Sequence, residues 1–524
     1  YCLHLFWSFL DSFCTNNVTK SSGADGIPGQ ILKYIAMTIV KPLIHIINNV
    51  FTSGVFPHSL KTTRVIPVYK KGDRQQVGNY RPISIASVFS GIIETCIATR
   101  ISDYLDKLNL FSKTQHGFIK GKSTVSALFK SINDISESLD KKLYTMGIYF
   151  DISKAFDTIN RELLLEKLET YGITGIGRQL IQSFLSRRSQ FVEVTERKGN
   201  IVNAKFNSST LKPTVGTPQG STLAPLLFVI YVNDMDTAFE YTTATLCKYA
   251  DDTSVIISGS GMDTVVDSAN NAIRAMSDWC ATNRLKLNEE KTGIVIYRNV
   301  HLHNTGTHAK IKSNGKDITV NTNQKFLGVT LNENLNWTVH TSELCGKLRR
   351  ASYAVLCLRH KVQQTTLLTY YYAHIQSHLS YAITIWGNSP ASSRILKIQK
   401  CIIRRICYSE PREHCRPLFK RLKIMTIHAL YIYKCVLYVS LNRHEFVTNK
   451  EVNSGMQTRY ADHLSVPHHA TTLYAKSPKY MCIKLYNHLP RDIRKHSTHV
   501  HFKTASRDFF LNHPYYSVDE YLKA

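Results

Sequence analysis

Leu246–Ser258 reads LCKYADDTSVIIS. Apolar, β-favouring residues lie on both sides of Tyr249-Ala250-Asp251-Asp252, whereas Asp and Asp-Thr are poor strand formers. The pattern predicts a hairpin with two carboxylates at or beside its turn. Adjacent acids at a hairpin tip repel each other. Either water solvates them, as in any surface turn, or a divalent cation sits on them. A second stretch, Leu143–Asp157, LYTMGIYFDISKAFD, contains an apolar strand, Tyr144–Asp151, that also ends on an aspartate. Two strands delivering carboxylates to one point is what a pair of Mg²⁺ ions about 4 Å apart needs.

Outward from these strands, RELLLEKLETY (Arg161–Tyr171) predicts a helix with Leu163, Leu164 and Leu168 on its buried face. Phe156 lies close enough to Asp151 in sequence to border the same site, or else is a core aromatic. Gln190–Val194 and Leu211–Val215 read as short strands. In GTPQGSTLAPLLF (Gly216–Phe228) a tight loop precedes a helix that Ser221 or Thr222 can cap and whose first turn tolerates Pro225. Gln219, on that loop, is placed to touch a ligand. Downstream, Asp263–Asn283 reads as a helix and Gly293–Tyr297 as a strand. Gln324–Trp337 reads as a hairpin turning at Asn332–Asn334.

Upstream, Thr63–Val68 is a short strand, followed by the basic loop YKKGDRQQVG and by NYRPISI. Lys70, Lys71, Arg74 and Arg81 are candidates to grip a triphosphate or template phosphates; for Lys71 and Arg74 a solvated loop is the better reading. QHGFIKGKST (Gln115–Thr124) is a Gly-rich basic turn. Its Lys122 only loosely resembles a phosphate cradle, and the spacing is not that of an NTPase loop. Beyond Trp337, helices are expected over Ser342–Arg359, Gln363–Tyr381 and Ser393–Cys407. The last bears Arg394, Lys397, Lys400, Arg404 and Arg405, a cationic set suited to a nucleic-acid backbone or to a solvated face.

Composition narrows the function classes. In 524 residues, 65 Lys+Arg stand against 38 Asp+Glu, a net +27. That surplus points to a polyanionic partner. It is densest beyond Leu331, where Asn332–Ala524 carries 28 basic against 11 acidic residues. Twelve cysteines without a C-x-x-C, most within apolar segments, read as reduced core residues of an intracellular protein. Cys401, Cys407, His414 and Cys415 match no common zinc-ligand spacing. Tyr1–Leu10 is apolar but has no basic leader, which argues against a signal peptide. No apolar run reaches the length of a membrane span, so a soluble protein with no membrane partner is expected.

Taken together and in order, FDISKAFDTINRELLLEKL, GTPQGSTLAPLLF, YADDTSV, NRLKLNEEKT and KFLGVTLNENLNW resemble the reverse transcriptase of non-LTR (LINE-type) retrotransposons of the jockey and CR1 kind. NYRPISI and QHGFIKGKST resemble that family's fingers. The resemblance implies an α+β right-hand polymerase: fingers, a palm with an antiparallel sheet, a helical thumb, and here a basic, mainly helical C-terminal region. The implied divisions are 1–62 as an extension leading into the fingers, 63–332 as fingers and palm, 333–410 as a thumb-like region and 411–524 as the basic remainder. It implies RNA-directed DNA synthesis with two Mg²⁺ ions, Mn²⁺ being able to substitute, on an RNA template and DNA primer with dNTPs. Asp151, Asp251 and Asp252 fall on its catalytic, metal-binding aspartates. Phe156 falls on the position that excludes a ribose 2′-hydroxyl, and Gln219 on the nucleotide-contacting glutamine. Arg81 falls on a fingers residue near the triphosphate, with Lys70 a nucleotide-binding candidate from its basic loop, and Lys291 is the first choice among several lysines to match the general acid. Lys122, Arg394, Lys397, Arg404 and Arg405 are candidate nucleic-acid contacts by their charge and spacing, not by the resemblance. Thr217, Ala224 and Gly91 depart from the usual valine, glycine and lysine. The chain begins at Tyr1 with no endonuclease region ahead of the fingers, so a truncated element is expected, nuclear with a cytoplasmic phase. The alternatives are a catalytically silent nucleic-acid-binding relic and an RNA-dependent RNA polymerase.

Overall fold

The computed structural model describes residues 21–198, 201–240, 242, 244–298, 311–313, 316–452, 460–496 and 498–524. Tyr1–Leu10 lies outside them. Among the described residues, ten strands have four residues or more: β1 (Thr62–Tyr69), β2 (Tyr80–Ile85), β3 (Tyr144–Asp151), β4 (Ser189–Lys198), β5 (Ile201–Asn207), β6 (Thr245–Tyr249), β7 (Asp252–Gly259), β8 (Gly293–Tyr297), β9 (Asn323–Phe326) and β10 (Val329–Asn332). The chain divides into two compact units. One comprises Tyr1–Ile119, Asp151–Tyr241 and Arg274–Asn288, the other Lys120–Phe150, Thr242–Ile273 and Glu289–Ala524.

The first unit holds a four-stranded sheet in the order β2-β1-β4-β5. β1 runs antiparallel to β2 and parallel to β4, and β4 antiparallel to β5. Arg64 of β1 and Glu193 of β4 form a buried ion pair at 3.0 Å across the sheet. β4 extends well past the expected Val194. Leu211–Val215 is not a strand; Leu211 makes a single bridge to Gln190. Helix Arg161–Thr170 starts where Asn160 Oδ1 accepts from Leu163 N at 3.0 Å. Its buried leucines are 164, 165 and 168, and Leu163, expected to be buried, is half-exposed. Helix Ala224–Tyr231 is buried at seven of its eight positions, with Pro225 in its first turn. Helix Gly29–Ser53 buries Leu32, Ala36, Leu43, Ile47 and Val50 along one face and exposes Ile31, Tyr34 and Met37. By length and composition alone this helix is sufficient to cross a bilayer. No unbroken apolar run marks it in the sequence, because Lys33 and Lys41 interrupt the stretch.

The second unit is built on a sheet in the order β6-β7-β3-β8. β3 pairs antiparallel with β8 and β6 with β7. Thr145, Gly147 and Tyr149 share a face of β3. The hydroxyls of Tyr149 and Tyr297 meet at 2.5 Å there, and a Cβ on Gly147 would lie 2.9 Å from the Tyr297 ring. Glycine is thus required for that closure. The β9–β10 hairpin turns at Leu327-Gly328, not at Asn332–Asn334, because Phe326 pairs with Val329. Both loop residues have positive φ, +44° and +78°, the two-residue turn whose twist matches its strands.

The C-terminal region is helical, including Ile427–Leu441, Pro478–His488 and His499–Asn512. It shares one hydrophobic core with helix Thr124–Asp140 and helix Thr338–Leu358. Phe129 stacks on Tyr438, ring centroids 4.1 Å apart. Asp140 Oδ1 accepts from Thr471 N at 2.7 Å, and Asn133 Oδ1 from Lys479 N at 3.1 Å. No disulfide joins cysteines among the described residues, and seven of those cysteines are buried.

Candidate active site

The β6–β7 pairing closes at Tyr249 opposite Asp252, leaving Ala250-Asp251 as the loop. The loop differs from Leu327-Gly328 in having positive φ at its first residue, Ala250 (+55°), and not at Asp251. An L-residue held there costs on the order of 1–2 kcal/mol. The buried Ala250 therefore sits strained beside two half-exposed carboxylates, Asp251 in the loop and Asp252 opening β7.

Asp151 closes β3, the strand next to β7 in the sheet order. Leu285–Asn288 is laid against the residues that follow. Ile152 bridges to Leu287, Ser153 N donates to Lys286 O at 2.8 Å, and Asn288 N to Asp151 O at 2.9 Å. The Asn288 side chain adds a bond from Nδ2 to Asp151 Oδ2 at 3.1 Å. No role for Asn288 was legible in the sequence. Its amide orients a candidate catalytic carboxylate.

Past Asp151, Phe156 is half-buried with its ring 4.8 Å from that of the buried Phe228. Its carbonyl accepts from Thr217 N at 2.9 Å, which fastens the Gly216–Gly220 loop to this segment. Gln219 reaches back to Asp157, Nε2 donating to both carboxylate oxygens at 3.1 Å. On its other side Ser84 N, three residues beyond Arg81, donates to Gln219 O at 2.6 Å. The first unit therefore brings together the β2 strand that carries Arg81, the Gln219 loop and the Phe156-Asp157 pair. Arg81 and Lys70 themselves are exposed, on and beside the β1–β2 hairpin.

Behind the loop lies a cavity of about 290 Å³ lined by Ser84, Asp157, Arg161, Arg188 and Gln219 among others. Arg161 donates to the carbonyls of Pro213, Val215 and Gly216 and so holds the loop's approach. Burial pushes the Arg188 guanidinium down to about 10, so it stays cationic at neutral pH. Burial also raises the Asp157 carboxyl, opposed by Lys154 and by the bond from Gln219.

The sequence reading missed a second carboxylate. Glu94, within helix Val88–Lys107, is 1% exposed. Its Oε2 accepts from Ser221 Oγ at 2.5 Å and Thr222 N at 2.9 Å, and its Oε1 from Ser90 Oγ at 2.8 Å. Ser221 Oγ in turn accepts from Ala224 N at 3.2 Å, but the following helix is capped at Leu223 and not, as expected, at Ser221 or Thr222. A signal for Glu94 was available: it sits among Ile92, Ile93, Cys96 and Ile97, on a face that should be apolar.

The other candidates divide by exposure. Arg394 and Lys397 are exposed on helix Ser392–Cys407. Arg404 donates to Glu413 O and Arg405 to Ser352 O, and Lys400 lies 3.5 Å from the Tyr516 ring centre, so these three serve the protein's own packing. Lys122 is half-buried and Lys291 exposed just before β8.

A profile of the family described as reverse transcriptase (RNA-dependent DNA polymerase) matches residues 68–331. The chain belongs to the reverse transcriptase family. Among its relatives is an RNA-directed DNA polymerase from the mobile element jockey of Drosophila melanogaster. That protein is 26% identical over 418 residues, covering 77% of this chain and 44% of the relative. The probable RNA-directed DNA polymerases from Drosophila melanogaster transposon BS and X-element are each 26% identical, over 86% and 78% of this chain and 47% and 44% of their own. This reverse transcriptase thus spans about half the length of the curated relatives it matches. A solved structure of apo telomerase from Candida tropicalis is similar over 60% of this chain and 61% of that one, at 15% identity and a TM-score of 0.36.

Among the described residues, no three His, Cys, Asp or Glu side chains are grouped as a ready-made metal cage. The donor chemistry of Asp151, Asp251 and Asp252 nonetheless fits a hard cation. All three offer carboxylate oxygens at half-exposed positions, and Mg²⁺ is commonly held by one or two carboxylates, with water and substrate phosphates completing its shell.

Proposed function

We propose that this chain is the polymerase part of a non-LTR retrotransposon protein, extending a DNA primer on an RNA template from dNTPs. The observation that carries the reading is the placement of the aspartates in a reverse transcriptase domain. Asp151 ends β3, Asp251 and Asp252 occupy the turn and start of β7, and β3 and β7 are adjacent strands. Asp151, Asp251 and Asp252 would hold two Mg²⁺ ions, which supply a lowered pKa for the primer 3′-hydroxyl and neutralisation of the triphosphate and departing pyrophosphate.

The chain's own groups position the reactants. Asn288 orients the Asp151 carboxylate. The Phe156 ring lies against the sugar of the incoming nucleotide, where a 2′-hydroxyl would collide with it, and Gln219 contacts the same nucleotide. Arg81 and Lys70 meet its phosphates, and Lys291 gives a proton to the leaving pyrophosphate. Lys122 and the exposed Arg394 and Lys397 of helix Ser392–Cys407 face template and primer backbone, with residues 63–332 as fingers and palm, 333–410 as thumb and 411–524 as the basic remainder. The relatives' names, RNA-directed DNA polymerase, support the choice of template and product.

Primer extension on poly(rA)/oligo(dT) with purified protein tests the proposal. Dependence on Mg²⁺ or Mn²⁺ and on dTTP is expected. A folded protein that binds the template–primer but adds no nucleotide would favour the silent relic, and equal use of UTP and dTTP the RNA polymerase.

A further inference from the structure

Helix Thr338–Leu358 packs against helix Ser392–Cys407, and a groove of about 360 Å³ opens between them. Helical spacing builds its two walls. Arg349, Ser352 and Tyr353 share a face of the first helix, and Lys397 and Arg405 share a face of the second. Among the described residues, three cations line this groove and no acidic side chain does. Arg405 is half-buried and fixed, its Nη1 donating to Ser352 O at 2.6 Å and to Ser352 Oγ at 2.8 Å. Arg349 and Lys397 are exposed. So is Tyr353, at 67%. An aromatic ring left in water forgoes the gain of burial, and cations gathered without a counter-charge repel one another. A ligand that carries both a planar ring and an anion relieves both at once.

We propose that this groove binds an unpaired nucleotide of single-stranded RNA, with its phosphate among Arg349, Lys397 and Arg405 and its base stacked on Tyr353. Resting on the reading of Lys397 as a backbone contact, the site takes a different ligand from the template–primer duplex. In a duplex each base face is covered by its neighbours, so only an unpaired base can lay its face on Tyr353 while its phosphate reaches the cations. The groove is at the small end of ligand sites, with room for one nucleotide and none for a helix. Every base has a face that stacks, so the site is tolerant of sequence.

The full chain is titrated with a labelled, unstructured RNA of about 12 nucleotides and, separately, with a blunt RNA–DNA duplex, and Kd is read across a range of salt. Tyr353→Ala should weaken single-strand binding by about fivefold or more and duplex binding by less than about twofold. Tyr353→Phe, which keeps the ring, should match wild type. Arg349→Ala should lower the log–log salt slope for the single strand by roughly 0.7. Both side chains are exposed, so melting temperatures should stay at the wild-type value. Equal weakening of both ligands by Tyr353→Ala, or a Tyr353→Phe variant as weak as Tyr353→Ala, overturns the stacking role. Adenosine monophosphate that displaces the RNA at equal nucleotide concentration makes a free nucleotide the ligand and overturns the strand. Single-strand binding unchanged in both Tyr353→Ala and Arg349→Ala overturns the groove as a site. Duplex binding by Arg394→Glu with Lys397→Glu then separates the two readings: if it is weakened, the groove alone falls, and if it is not, the reading of Lys397 falls as well.

Discussion

Glu94 puts a carboxylate where an apolar face was expected, and its acceptor oxygens meet a hydroxyl and the backbone at the loop that follows Gln219. Glu94→Ala strands those donors in a buried site, where each costs about 1–3 kcal/mol. Chemical denaturation of that variant should show a loss of at least about 2 kcal/mol, and a loss below 0.5 kcal/mol would mean water replaces the carboxylate at no cost. Phe156 carries a different prediction at this scale. Phe156→Ala should raise ribonucleotide use relative to deoxyribonucleotide, read as a ratio of kcat/KM values. If wild type discriminates and the variant's ratio is unchanged, the ring serves only its packing on Phe228. Both roles differ in how far sequence could reach them. Phe156 was visible by its distance from Asp151, whereas the pairing of Gln219 with Asp157, like that of Asn288 with Asp151, joins residues far apart in the chain.

At the scale of elements, the strands Tyr144–Asp151 and Gly293–Tyr297 were legible to the residue, because each is an apolar run ended abruptly by acid, glycine or arginine. The β4–β5 pair was not, since much of it is exposed and charged: Val194 and Phe206 stand 51% and 60% exposed, so no alternation marks a buried face. The β9–β10 turn misled for another reason. Asn-rich sequence signals a turn at Asn332–Asn334, but the chain turns where Leu327 can be held by Tyr381, whose hydroxyl donates to Leu327 O at 2.5 Å. Gly328→Ala should destabilise the fold by about 1–2 kcal/mol, since its φ is +78° and the added methyl would meet the Tyr381 ring at 3.3 Å. Two histidines, the half-buried His340 and the buried His428, set an acid limit on the second unit. Burial pushes His340 and His428 down to about 4 from 6.5, against the nearby Glu343 and Glu520. The unfolded chain therefore takes up these protons first. Stability present above pH 6.5 is lost as pH falls through 6.5 toward 4, by up to a few kcal/mol in total. Melting temperature should drop between pH 7 and 5 by less in a His340→Gln/His428→Gln variant than in wild type; equal drops would put the acid sensitivity elsewhere.

At the scale of the whole molecule, the net charge of +27 and the ordered reverse transcriptase blocks were legible from sequence, but the way the C-terminal region is built was not. Its helices lie in one core with Thr124–Asp140, so deleting Ser393–Ala524 would expose that core and confuse folding with binding. Charge reversal is the cleaner test. Arg394→Glu with Lys397→Glu alters two exposed side chains of one helix and should flatten the salt dependence of template–primer binding by a log–log slope of roughly 2. An unchanged slope would assign that face to solvent. The central claim, that Asp151, Asp251 and Asp252 perform nucleotide addition, is tested most directly by single-turnover extension of a DNA primer on RNA with Asp251→Asn, template–primer affinity being measured in parallel. The rate is expected to fall by at least about a hundredfold with affinity within about threefold of wild type; extension near the wild-type rate would contradict the assignment.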